Sequence, residues 1–140
     1  MGIVRTVLGD IDAKELGFTM AHEHVFIDVA GQSKPDIEWS MYDWNTQLDM
    51  VKAYRENGGE TLIDANPMYA DGRNAAGLYT MSKQTGVHIV ACTGFVKVNK
   101  DTNNTSHLSG KTVEEITDFF VSEIEEGMDG TDIKAGWIKG

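Results

Sequence analysis

The sequence predicts an α/β protein in which short apolar strands alternate with amphipathic helices. Apolar runs of strand length recur roughly every thirty to forty residues, and the segments between them carry apolar residues at helical spacing. Glycine follows each of these helical segments. An alternation of this kind indicates a parallel sheet with right-handed crossovers, either as an open sheet or as a (β/α) barrel.

The N-terminal region contains a short apolar segment and the first buried strand. Residues 3–8 form the short segment, and a polar turn is predicted at Gly9-Asp10. Residues 18–27 form an apolar run that a His-Glu-His triplet at 22–24 interrupts. We expect this run to be the first strand of the sheet.

The next unit is a helix followed by the second strand. Glycines 58 and 59 end the helix, and a strand over residues 61–65 closes at Asn66-Pro67. Apolar side chains three and four residues apart predict the helix, namely Trp44, Leu48, Val51 and Tyr54.

The second helix and third strand follow the same pattern. The helix is predicted over residues 73–85, with Leu78 and Met81 on one face and Gly86 as its C-terminal cap. Residues 87–93 are β-branched and mostly apolar, which is typical of a strand covered on both faces. The polar stretch 95–111 is longer than a usual connector and predicts a functional loop over a pocket.

A capping box at residues 112–115 predicts the start of the third helix. Gly127 ends this helix, and residues 133–139 form the fourth predicted strand. The buried face is predicted from Val113, Ile116, Phe119, Phe120 and Ile124. The acidic side chains Glu123, Glu125 and Glu126 are expected to face solvent.

Composition excludes several functions. A net charge of −10 would repel nucleic acid and anionic membranes, so we expect neither as a partner. The single cysteine, Cys92, excludes an internal disulfide and a cysteine-based zinc site. The N-terminus lacks the uninterrupted apolar stretch of a signal peptide. A cytoplasmic protein of one domain, or part of a larger domain, is expected.

His22 and His24 are candidate metal ligands. Side chains two residues apart on a strand share a face, so the two imidazoles project into the same volume. A divalent metal stabilises such a pair by using both neutral rings as ligands. The alternative is two histidines satisfied by hydrogen bonds or by water, and spacing alone favours this alternative.

The ends of the predicted strands favour the metal site. Asn66, Gly94 and Lys139 all fall at the carboxyl ends of predicted parallel strands, where barrel proteins build active sites. A lysine at a strand end usually extends to solvent. The second interpretation of Lys139 is a buried lysine whose neutral amine reacts with carbon dioxide to give a bridging carboxylate.

Five segments together resemble the phosphotriesterase family of the amidohydrolase superfamily. They extend over nearly the whole chain and follow the family's order, which is far more specific than a His-x-His motif alone. The segments are TVLG (6–9), LGFTMAHEH (16–24), GVHIVACTG (86–94), GMDGT (127–131) and IKAGWIK (133–139).

The resemblance implies that residues 1–140 are the N-terminal half of a TIM (β/α)8 barrel, truncated after strand four. This half would contain about four parallel strands with three intervening helices. It implies a site with two divalent metals, usually zinc, in which His22 and His24 bind the more buried ion. Lys139 corresponds to a carboxylated, catalytic lysine that bridges both ions. Phe95 and Val96 correspond to residues of the substrate pocket, and Glu23 is a supporting residue.

Family members hydrolyse small phosphotriesters or lactones by attack of a metal-bridging hydroxide. The remaining ligands, two histidines and an aspartate from later strands, fall beyond this sequence. Val96 replaces an aromatic residue found in many members, and Trp137 is bulky for a barrel interior beside Lys139.

A second hypothesis is a non-catalytic half barrel that pairs with another copy as a homodimer and holds at most one metal ion. A third hypothesis, an open-sheet binding protein, has little support, because no Gly-x-Gly-x-x-Gly motif that would bind a phosphate follows the first strand.

Overall fold

The computed structural model describes residues 2–28, 40–67, 72–95, 108 and 110–140. Helices alternate with parallel strands along these ranges, so the predicted α/β class is confirmed. None of the helices in the described ranges is long and apolar enough to cross a membrane.

The chain begins with an antiparallel hairpin of β1 (Ile3–Thr6) and β2 (Gly9–Asp12). The predicted turn at Gly9-Asp10 is wrong, because both residues belong to β2 and the turn falls at Val7 and Leu8. The Thr6 hydroxyl donates to the Gly9 carbonyl at 2.7 Å and accepts from the Leu8 N–H at 3.2 Å. Gly9 has φ of 118°, a conformation that glycine adopts without steric cost.

Three strands form the main parallel sheet, in the order β3 (Thr19–Glu23), β4 (Thr61–Asp64) and β5 (His88–Val90). A register irregularity between Met20 and Glu23 interrupts the pairing of β3 with β4. Beyond it, Glu23 pairs with Asp64, which aligns the end of β3 with the end of β4.

The third predicted strand changes its pairing partner at Ala91. Its first half is β5, which pairs with β4, and its second half is β6 (Cys92–Gly94), which pairs in parallel with β7 (Trp137–Lys139). The Gly136 N–H donates to the Ala91 carbonyl at 2.8 Å, at the junction of the two halves. This junction links the sheet to the last strand.

The fourth predicted strand is shorter than expected. Residues 133–136 lie outside β7 because their backbone groups bond to other elements. The Ile133 carbonyl accepts from Met128 N–H at 2.8 Å, and the Ala135 N–H donates to the Glu123 carbonyl at 2.9 Å. Ile133 and Ala135 are buried in the core instead.

Each helix begins at a polar cap. The helices are α1 (Trp44–Glu56), α2 (Ala75–Thr85) and α3 (Val113–Glu125). The N-caps are Asp43, Asn74 and Thr112, whose side chains accept backbone N–H groups of the first turn. Asn74 explains why α2 begins after residue 73, and the predicted capping box of α3 is present.

The hydrophobic core lies between the parallel strands and helices α1 and α2. Leu78 and Met81 of α2 are fully buried against Ile89 of β5, as predicted. The predicted buried face of α3 is wrong for Val113, which is 76% exposed. Among the apolar residues of α3, Ile124 packs against the core cluster.

A buried ionic cluster replaces part of the predicted solvent face of α3. Glu123 was expected to face solvent, but it is 4% exposed because the Arg73 guanidinium compensates its charge. Arg73 donates to both Glu123 oxygens, at 2.9 and 2.5 Å, and to Asp129 at 2.6 Å. It also donates to the Pro67 carbonyl at 2.6 Å, so the cluster joins the segment after β4 to the end of α3.

We expect Glu123→Gln to lower the free energy of unfolding by about 2 kcal/mol, because the amide NH₂ group of glutamine cannot accept one of the two hydrogen bonds that Arg73 donates to Glu123. The measurement is urea unfolding at pH 7, followed by circular dichroism. Glu125→Gln is the matched control, since Glu125 lies in the same helix and is exposed. Equal losses of stability in the two variants would contradict the structural role of the cluster.

Candidate metal centre

The predicted site residues meet at the carboxyl edge of the parallel strands. His22 lies in β3 and His24 directly follows it, while Asn66 lies just beyond β4 and Lys139 ends β7. The His22 and His24 rings are 5.4 Å apart between centroids and are inclined at 49°. His22 is exposed and His24 is half-buried, so the pair opens outward from the sheet edge.

His24 has its Nδ1 atom engaged by the protein. The His24 Nδ1 and Asn66 Oδ1 atoms lie 2.5 Å apart, within hydrogen-bond distance, and the Asn66 Nδ2 group donates to the Phe26 carbonyl. Burial lowers the pKa of His24, and the Lys139 and His22 charges act in the same direction, whereas the Asn66 hydrogen bond opposes the shift. The lowered pKa favours the neutral ring, which is the form that binds metals.

Lys139 is half-buried beside the histidines. Its Nζ donates to the Ala65 carbonyl at 2.8 Å, which fixes the amine against the end of β4. The neighbouring Trp137 also reaches β4, because its Nε1 group donates to the Asp64 carbonyl at 3.3 Å. The polar group of the bulky indole thus has a hydrogen-bond partner at the end of β4.

Gly94 permits the close approach of β6 to β7. A Cβ at this position would lie 1.9 Å from the Lys139 carbonyl oxygen, so a side chain there would displace the strand that carries Lys139. The φ of Gly94 is 119°, a second reason for glycine. The close pairing of β6 with β7 therefore requires glycine at position 94.

Asp64 is a residue of this region that sequence reasoning missed. It is 1% exposed, and its carboxylate accepts the Val25 N–H at 2.9 Å and the Asn66 N–H at 3.3 Å. Burial raises the pKa of Asp64 to about 7, against the opposing effect of these hydrogen bonds and of the Lys139 and Arg73 charges. An acidic residue inside an otherwise apolar strand was the available signal.

One of the two predicted substrate-pocket residues, Phe95, lies in the described part of the chain. The Phe95 N–H donates to the Lys139 carbonyl at 3.1 Å, and its ring stacks on Phe120 of α3 at 6.4 Å. Val96 lies outside the described residues. Glu23 lines a cavity against α1 together with Met50.

The described ranges contain no cluster of three or more His, Cys, Asp or Glu side chains that could hold a metal ion. His22, His24 and Lys139 remain candidate ligands. They lie at the carboxyl ends of parallel strands, which is the edge at which α/β proteins build their sites.

The chain belongs to the phosphotriesterase family, whose sequence model matches residues 2–140. It is 34% identical to an N-acetyltaurine hydrolase of Danio rerio, over 98% of this chain and 46% of that protein. It is 30% identical to an aryldialkylphosphatase of Saccharolobus solfataricus, over 92% of this chain and 40% of that protein.

A solved structure gives the same relationship in three dimensions. The crystal structure of a lactonase from Listeria monocytogenes superposes with a TM-score of 0.81 and 28% identity, over 98% of this chain and 46% of that chain. The chain thus spans slightly under half the length of the relatives it matches.

We expect Asp64 to make the unfolding free energy fall as the pH rises from about 4 to about 7. The folded chain retains the Asp64 proton up to about pH 7, whereas the unfolded chain releases it near 3.8. The folded state therefore binds more protons between these values, and stability decreases with pH there. Above pH 7 the contribution is constant.

The measurement compares the unaltered chain with Asp64→Asn by urea unfolding at several pH values. The difference in unfolding free energy, unaltered minus variant, should decrease up to pH 7 and then level off. A difference that does not change with pH would show that Asp64 has the same pKa in both states.

Proposed function

We propose that this chain is the N-terminal half of a (β/α)8 barrel in a metal-dependent hydrolase. His22, His24 and Lys139 are the part of its metal centre that this half contributes. The observation that carries the proposal is the geometry of His24, whose Nδ1 is bonded to Asn66, which leaves Nε2 as the ring nitrogen for a ligand bond, with the His22 ring 5.4 Å away. Family membership and the coverage of the lactonase support it.

The donor set fits a divalent metal such as zinc. Two neutral imidazoles are common zinc ligands, and a carboxylated Lys139 would add an oxygen donor. Family enzymes typically hold two metal ions, and in that arrangement Lys139 would bridge them while His22 and His24 bind one. When bound, the metal supplies an activated water and polarises the oxygen of the scissile group.

The protein residues would then have distinct roles. Asn66 holds the His24 ring, Gly94 allows β7 to approach β6, and the Ala65 carbonyl restrains the Lys139 amine. Phe95 and Val96 follow β6 directly and would line the substrate pocket. An aspartate from the second half of the barrel would move the proton.

The proposed substrate is a small phosphotriester, lactone or other carboxylic ester. Relatives named as an aryldialkylphosphatase and a lactonase support this range. The N-acetyltaurine hydrolase, 34% identical over 98% of this chain, favours an amide as a further substrate class. Esters, phosphotriesters and amides all present a polarisable oxygen and an electrophilic centre to water.

Self-association without catalysis is the second candidate. Within the described residues β3 and β7 each pair with one strand, and they expose Met20 and Ile138, at 38% and 54%. Unpaired strand edges with exposed apolar side chains favour pairing with another chain. In a homodimer two copies would bring together four histidines and two lysines.

We expect His24→Ala and His22→Ala to weaken zinc binding by at least tenfold, because each removes one ligand. The measurement is calorimetric titration of the chain with Zn²⁺ at pH 7.5. His88→Ala is the control, since His88 belongs to β5 and is not part of the pair. Equal zinc affinity in all variants would contradict the site.

The native mass of the same samples separates the two candidates. A dimer with metal but without hydrolase activity supports self-association. A metal-free monomer without hydrolase activity contradicts both candidates for the isolated chain.

We expect the reading frame to continue beyond residue 140, with histidines at two later strand ends and an aspartate after the last strand. A stop codon directly after Gly140 would contradict the hydrolase proposal and leave a half-barrel fragment. In the longer protein, Lys139→Ala should lower metal occupancy and hydrolysis of a lactone, a phosphotriester and N-acetyltaurine, because the bridging ligand is lost. Unchanged metal occupancy would contradict the bridging role.

A further inference from the structure

Asn66 makes three hydrogen bonds around the candidate metal ligands. It is 3% exposed and its side chain links the His24 ring to the Phe26 carbonyl, while its backbone N–H donates to Asp64. We propose that Asn66 is a positioning residue that fixes His24 in its Nδ1–H tautomer, so that Nε2 presents a lone pair to the metal. The inference rests on the proposed metal centre.

The orientation of the Asn66 amide is determined by its second partner. The Phe26 carbonyl accepts a hydrogen bond and cannot donate one, so the NH₂ group of Asn66 must face it. The amide oxygen therefore faces His24 and requires a proton on Nδ1. A rotated amide would place two oxygens together at Phe26 and leave a buried carbonyl without a donor.

The backbone at Asn66 is held by the same part of the molecule. The Asp64 carboxylate accepts the Asn66 N–H at 3.3 Å and the Val25 N–H at 2.9 Å. Val25 directly follows His24, so Asp64 joins the two backbone segments that carry the ring and its partner. The His24–Asn66 contact is thus fixed at both ends.

The tautomer matters because only one nitrogen of a neutral imidazole has a free lone pair. The tautomer of a ligand histidine is set by the hydrogen bond of its other nitrogen. Without the Asn66 oxygen, a proton on Nε2 would compete with the metal for that atom. Loss of such an outer partner typically weakens metal binding by roughly 10- to 100-fold.

Nuclear magnetic resonance of the chain labelled with ¹⁵N-histidine tests the tautomer directly. At pH 8 we expect His24 to show a protonated Nδ1 and an unprotonated Nε2 in the metal-free, unaltered chain. Asn66→Ala should shift the ring towards the Nε2–H tautomer. Asn66→Asp, which retains an oxygen acceptor, should keep the proton on Nδ1.

Asn57→Ala is the matched control, because Asn57 caps the end of α1 and donates to Ala53 away from the site. This variant should leave the His24 tautomer unchanged. A loss of stability alone would not change the tautomer of a folded chain. The tautomer therefore separates positioning from a merely structural role.

Two results would overturn the proposal. One is an Nε2–H tautomer of His24 in the unaltered chain, a measurement that requires no variant to fold. The other is an unchanged tautomer in folded Asn66→Ala.

Zinc titration provides an independent measurement. Asn66→Ala should bind zinc 10- to 100-fold more weakly than Asn57→Ala, and equal affinities would count against the positioning role. If the unaltered chain does not bind zinc, the proposed function is contradicted. The tautomer of His24 then still tests whether Asn66 positions the ring.

Discussion

The hydrogen bonds at the carboxyl end of β4 hold the candidate metal ligands in place. The Asp64 carboxylate accepts hydrogen bonds from the N–H groups of Val25 and Asn66. The Ala65 carbonyl accepts a hydrogen bond from the Lys139 amine, and the Asn66 side chain is hydrogen-bonded to the His24 ring. Residues from β3 and β7 thus depend on three consecutive residues, of which Asp64 ends β4 and the next two follow it. A buried polar group without a hydrogen bond costs free energy, so these contacts restrict the positions of His24 and Lys139.

The same region illustrates how a fold can bring charged groups close to a site without exposing them. Arg73 follows β4 and lies between Glu123 and Asp129. It donates hydrogen bonds to both carboxylates and to the Pro67 carbonyl, so the segment after β4 is bound to the end of α3. The ion cluster holds the segment after β4 through the Pro67 carbonyl, while Asn66 contacts His24.

Periodicity predicted most of the fold because burial imposes a simple pattern on strands and helices. Leu78 and Met81 were predicted to be buried and are. The errors arose where a single contact overrides the pattern: the Thr6 hydroxyl fixes the turn before Gly9, Arg73 buries Glu123, and the backbone of Ile133 bonds to Met128 instead of joining β7. Arg73 and Glu123 are 50 residues apart, and the contact between Met128 and Ile133 follows neither the helix nor the strand repeat. Spacing could therefore reveal neither contact.

The sequence by itself determined the α/β class and the phosphotriesterase resemblance, and it singled out His22, His24 and Lys139, because strand periodicity and motif order are local properties of the chain. Tertiary structure alone decided which nitrogen of His24 is engaged, why Gly94 must lack a side chain, and that Asp64 is buried at the strand end. Each of these depends on contacts between strands far apart in sequence, whose register only the folded chain defines.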